Sequence, residues 1–190
     1  MVLLWAVAAG LATGVGRAGS QRVRYEAPVL QHLWLAFAAF LPQFLVVYLP
    51  VREVMTEGWI AFCLILSQAL LFGFAFLNRD HMGMKILMIG AVLNGLVMIM
   101  NGGFMPISPQ TAGRLVSEDI LATIAPGSRF GSKDILLQPE HTRLEWLADR
   151  FLPPAWMSYQ VAFSLGDIFI AVGVFWLLAR QKNIEQGCNP

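Results

Sequence analysis

The chain has 190 residues, 57% of them hydrophobic and only 13% charged, with a net charge of +1 and a mean hydropathy of +0.61. That balance excludes a disordered chain and most water-soluble folds. Its thirteen basic residues are scattered and make no concentrated positive field, which excludes nucleic acid as a partner.

In chain order, the first apolar segment runs from Val2 to Gly16. No basic stretch precedes it, and Gly16-Arg17-Ala18-Gly19-Ser20 is only a loose cleavage-like context, so it reads as a retained helix and not as a secretory signal. Pro28 to Val51 and Gly58 to Leu77 reach the ~20 residues that a spanning helix needs, Met84 to Met100 falls slightly short, and Trp156 to Ala179 is long enough. The expected fold class is therefore all-α integral membrane, with about five transmembrane helices in a single domain over residues 1–190. Trp59, Trp156 and Trp176 fall near the ends of spans, where indole rings prefer to sit. Gln31-His32, Gln43 and Gln68 are expected to tie helices together.

Positive charge is retained on the cytoplasmic side of a membrane. Arg17, Arg22 and Arg24 follow the first span, Arg79 and Lys85 lie between the third and fourth, and Arg180 and Lys182 follow the last, whereas the second connection has only Arg52. The alternation places the amino terminus outside and the carboxyl terminus in the cytoplasm. The connection from Asn101 to Pro154 then lies outside, as a structured loop. Two amphipathic helices fit its pattern, one over Gln110 to Ala125 with Val116, Ile120 and Ile124 on a stripe, the other over Pro139 to Leu152 with Leu144, Leu147 and Phe151. The turn-rich Pro126 to Ser132 joins them.

Asp167, inside the last apolar span, is the first candidate site residue, because hydrocarbon penalises a charge by at least ~2.5 kcal/mol. Three pieces converge on the outer face: Asn101-Gly102-Gly103-Phe104-Met105-Pro106, Leu147-Ala148-Asp149-Arg150 and Ser164-Leu165-Gly166-Asp167. Asp149 and Asp167, brought together, have the makings of a carboxyl dyad that shares a proton and activates a water. Asn94, seven residues before Asn101, shares its helix face, so Asn94, Asn101, Gly102, Gly103, Arg150 and Ser164 are the candidate ligand-binding residues.

Each piece also has a structural reading. Asn-Gly-Gly followed by Pro matches a helix end with a left-handed glycine. Ser164 and Asp167 match a capping box, which would start the last helix below the lipid surface. Asp149, surrounded by Arg143, Glu145 and Arg150, fits a solvated helix face. Six methionines cluster around the fourth span but are spread along it, so packing explains them better than soft-metal binding. The histidines share no spacing, and Cys63 and Cys188 fall at different levels, so no metal site, cofactor or disulfide is expected.

The three segments together resemble a family of bacterial multi-pass membrane proteins known only as a domain of unknown function. That resemblance covers Met84 to Leu178 and implies a bacterial cell membrane without implying an activity. Pieces are also similar to the lipoprotein signal peptidases, in which Asp149-Arg150 would correspond to the first catalytic aspartate motif, Phe163 and Asp167 to the second, and Asn101 to Phe104 to an outer Asn-containing segment. The peptidases place two membrane spans between the Asn segment and the first aspartate, where this chain has an aqueous connection, and Ser164 stands where they have asparagine. The leading expectation is an inner-membrane binding or assembly component with an outward polar recess, partnered by lipid and by other membrane subunits. The alternative is an intramembrane aspartyl hydrolase acting on a lipid-anchored peptide.

Overall fold

The computed structural model describes residues 2–48, 55–154, 156–157 and 160–180. Apolar helix-forming runs dominate it: α1 (Val2–Ser20), α2 (Leu33–Tyr48), α3 (Glu57–Leu77), α4 (Met82–Met100) and, after five short helices and strands, α7 (Leu165–Ala179). Three of these, α1, α3 and α4, are long and apolar enough to cross a membrane, and α2 and α7 are apolar but shorter. Each buries a narrow stripe; in α4 it is Gly83, Met84, Leu87, Gly90, Ala91, Asn94, Val97 and Met98, the spacing of one helix face. The outward faces remain apolar, with Leu4, Trp34, Phe37, Phe40, Trp59 and Ile99 exposed, a surface suited to lipid and not to water.

The packing is close because glycines line the contacts. Gly83 and Gly90 of α4 lie against Gly173 and Gly166 of α7, so these helices run antiparallel with their backbones almost touching. On its other side α7 meets Gly10 and Gly14 of α1, whose extension clamps the end of α7: Arg17 donates to the Ala179 carbonyl and the Tyr25 hydroxyl to that of Leu178. Ser67 of α3 donates to the Ala39 carbonyl of α2, and Asn78 pairs with both backbone groups of Gln31. Ser67 and Asn78 thus make ties that had been expected of the glutamine side chains. Together these contacts bring the start of α3, the end of α4 and the start of α7 to one end of the bundle.

At that end the connection folds as a cap. It contains β1 (Met105–Ile107), α5 (Pro109–Ala112), α6 (Glu118–Ala122), β2 (Arg129–Phe130) and β3 (Asp134–Leu136). The sheet order is β1-β3-β2, with β1 and β3 parallel and Met105 opposite Asp134. A bridge from Ile107 to Asp149 extends the sheet beyond β1. Ile107, Ala112, Phe130, Leu136 and Ala162 form the cap's own core. Leu147 reaches down to join Ile60, Leu64, Val97 and Met105 at the head of the bundle.

Three sequence expectations change here. The sheet was not anticipated by an all-α reading, because strands of two or three residues carry no legible alternation. The single helix over Gln110 to Ala125 is instead α5 and α6. Ser108 caps the first, accepting from the Thr111 amide at 3.2 Å, and Ser117 begins the second. The helix over Pro139 to Leu152 is two 3-10 turns, Pro139–His141 and Glu145–Leu147, separated by Leu144 at φ 57°. A left-handed leucine stops a helix, and Asn101 holds it there by binding both backbone groups of Arg143 next door.

The last apolar segment also differs. Helix α7 begins at Leu165, not near Trp156, and residues 160–164 ahead of it are not helical, with Phe163 and Phe151 exchanging backbone bonds of 3.1 and 2.9 Å and stacking their rings. Fifteen residues make about 22 Å of helix, short of a ~30 Å hydrocarbon core. Arg52, Lys182 and Cys188 lie outside the described residues.

Candidate functional site

Where α7 starts against α4, a closed polar ring forms. Ser164 accepts from the Asp167 amide at 3.0 Å while Asp167 Oδ2 accepts from the Ser164 amide at 3.1 Å, the reciprocal bonds of a capping box. The Ser164 hydroxyl donates to Asn94 Oδ1 at 2.7 Å, and Asn94 Nδ2 donates to Asp167 Oδ1 at 2.8 Å. Gly166 makes room for this: a Cβ there would stand 2.1 Å from Asn94 Oδ1. Asn94, Ser164 and Asp167, all expected at the site, are therefore in direct contact.

Asp149 is not on a solvated face. It is 1% exposed, and its backbone amide, donating to the Pro106 carbonyl of β1 at 3.0 Å, holds it inside the cap. Its Oδ2 accepts from the Lys133 ammonium at 2.5 Å, and the same ammonium lies 3.5 Å from Asp134 Oδ1. The Asp134 and Asp149 carboxyls thus share one ammonium. Lys133 and Asp134 escaped the sequence reading. A Lys-Asp dipeptide after a turn has no special signature, and only the pairing of β3 with β1 buries it against Asp149.

The electrostatics follow from burial and crowding. Burial pushes the Asp149 carboxyl well above the ordinary carboxylate range; Lys133 opposes that rise, and Asp134 and Asp167 add to it. Asp134 is raised for the same leading reason. At Lys133 burial works against the charge, but Asp134, Asp149 and Asp167 outweigh it and hold the ammonium well above the usual lysine value. Asp167 thus sits within electrostatic reach of the Asp149 group.

The remaining candidates have structural surroundings. Asn101 donates to Val97 and Arg143 carbonyls at 2.7 and 2.9 Å and accepts from the Arg143 amide. Gly102 and Gly103 have φ of 76° and 91°, and Gly103 donates to the Met98 carbonyl at 2.7 Å, the closing bond of a glycine-ended helix. Arg150 stands at the surface, 3.9 Å from Glu145. Asn101 and the two glycines support the cap from beneath, and Arg150 is not joined to the buried group.

A family model described as a family of unknown function, DUF5317, matches residues 28–179. The chain belongs to this family. The DUF5317 match begins after α1 and ends with α7, so it contains the cap and both polar clusters whole. An uncharacterised protein of Thermotoga maritima is 30% identical over 147 residues, covering 77% of this DUF5317 chain and 76% of the other. No solved structure matches.

Proposed function

We propose that this DUF5317 protein is a multi-pass component of the bacterial inner membrane, with five spans, its amino terminus outside and its carboxyl terminus in the cytoplasm. The cap faces outward, and the polar recess beneath it, around Asn94, Asn101, Asp149 and Asp167, binds a ligand or a membrane-protein partner. Helix α7 is too short to cross alone, and the non-helical residues ahead of it complete the crossing inside protein, where irregular backbone is tolerated.

One observation carries the choice of binding over hydrolysis. A hydrolytic dyad requires two carboxyls free to share a proton and a water. Here Asp167 has both oxygens engaged, by Asn94 and by the Ser164 amide, and Asp149 shares the Lys133 ammonium with Asp134 and not with Asp167. These are the bonds of a preorganised frame.

The test is purification of the tagged protein in mild detergent, with mass spectrometry of everything that co-elutes. A stoichiometric companion or bound small molecule is expected, and an Asp167→Asn variant that is still inserted and folded should retain less of it. Recovery of a stable monomer with nothing bound removes the proposal. Hydrolysis of a lipid-anchored peptide that disappears in Asp149→Asn would replace it with the aspartyl hydrolase.

A further inference from the structure

Two buried oxygens at the centre of the cap have no hydrogen-bond donor: Asp149 Oδ1 and Asp134 Oδ1. Burying an acceptor without a donor is costly, and native proteins rarely leave one so. Their carboxyls lie on the same Lys133 ammonium, 3.5 Å from Asp134 Oδ1 and 2.5 Å from Asp149 Oδ2, and two ionised carboxylates so placed cannot satisfy each other because both are acceptors only. A single proton between them removes both defects, since the protonated oxygen donates to the other.

We propose that Asp134 and Asp149 together form a proton-binding site, holding one shared proton that fastens β3 and the Asp149 segment on either side of β1. Asp149 has no exposed side-chain surface, so water is a poor substitute donor. Of the charges facing the pair, Lys133 opposes protonation and Asp167 favours it, while Arg129 of β2 stands opposite Ile135 and not opposite Asp134. Lys133, immediately before β3, supplies one positive charge to both carboxyls; Asp167, at the start of α7, adds a further negative one; Glu145, in the preceding 3-10 turn, pairs outward with Arg150. β1 and the facing part of α4 contribute no ionisable group, only Asn94 and Asn101. Three carboxyls against one ammonium leave excess negative charge, and the shared proton reduces it. Loss of that proton to hydroxide or to a buffer base leaves two carboxylates pressed together around one lysine, so the cap loosens while the helices remain packed.

The sign of the pH dependence follows. A carboxyl whose proton is held more tightly in the folded cap contributes stability that is complete below the ordinary carboxylate pKa and is lost as pH rises through the raised value. Lys133, whose value is also raised, keeps its contribution until more alkaline pH.

The experiment is carboxyl-carbon NMR titration of the full-length protein in lipid nanodiscs, with amide exchange measured across β1 and β3. In the wild type, one titration assigned to Asp134 or Asp149 should lie above the ordinary carboxylate range, and exchange in both strands should accelerate beyond its intrinsic pH dependence over the same interval. Asp134→Asn places an amide donor where the shared proton sat. It should abolish the upper titration and the pH-dependent part of the exchange, and Asp149→Asn should do likewise. Ordinary titration of both wild-type carboxyls overturns the proposal without reliance on any variant. So does an upper titration that persists unchanged in a folded Asp134→Asn protein.

Discussion

At the scale of single residues, Lys133 governs the buried group. Its ammonium is the partner of both Asp134 and Asp149, and its side chain is 24% exposed. Removing one member of a buried pair leaves the other charge uncompensated, at a cost of roughly 3–5 kcal/mol, and the partial exposure here favours the lower end. Lys133→Met should therefore destabilise the cap by about 3 kcal/mol at neutral pH. Because the stranded carboxyls can take up protons, the loss should shrink in acid; limited proteolysis of the 101–163 connection across pH reads both effects. Equal cleavage of wild type and variant at neutral pH would show that the pair stabilises nothing. Asp167 presents a different case: Ser164-x-x-Asp167 was legible as a capping box because both halves lie within one helical turn. Asp149 could not be judged that way. Its neighbours Arg143, Glu145 and Arg150 suggested solvent, whereas its burial depends on residues sixteen and more than forty positions away.

Elements meet through glycine. Gly83 and Gly90 are seven apart on α4, Gly166 and Gly173 seven apart on α7, and the two pairs face each other. A Cβ on Gly166 would stand 2.1 Å from Asn94 Oδ1 and 2.8 Å from the Gly90 carbonyl, and the backbone cannot retreat as a flexible side chain can. Gly166→Ala should separate α4 from α7 and break the Asn94–Ser164–Asp167 ring, costing about 3 kcal/mol, the upper end for an overpacked core. Gly73→Ala, in α3 with open space where its Cβ would go, should instead stabilise by about 0.5–1 kcal/mol through the lost backbone freedom. Opposite shifts in thermal midpoint, measured in one detergent, check the pair; shifts of the same sign would contradict the crossing. The sequence analysis did not single out these glycines, because their role shows only once α4 and α7 are seen packed together. The strands were less legible still, since β1, β2 and β3 are each two or three residues long and the pairing of β1 with β3 spans 29 positions, from Met105 to Asp134.

For the whole molecule, every contact between helices puts the 101–163 connection at the end opposite Arg17, Arg79 and Lys85, so one labelling experiment fixes the proposed orientation. A cysteine at exposed Ser128 in a cysteine-free background should react with an impermeant thiol reagent added to intact cells, and one at Arg79 only after lysis. The reverse pattern would turn the cap inward and remove the outward recess. Sequence alone determined the apolar helical runs, the glycine-ended α4 and the capped start of α7, because each depends on hydrophobicity or on residues within a turn or two. The tertiary structure decided the small sheet, the left-handed Leu144 and the joining of Lys133, Asp134 and Asp149. Those features arise only when distant strands pair and shut out water, and burial then converts three ordinary surface charges into one coupled group.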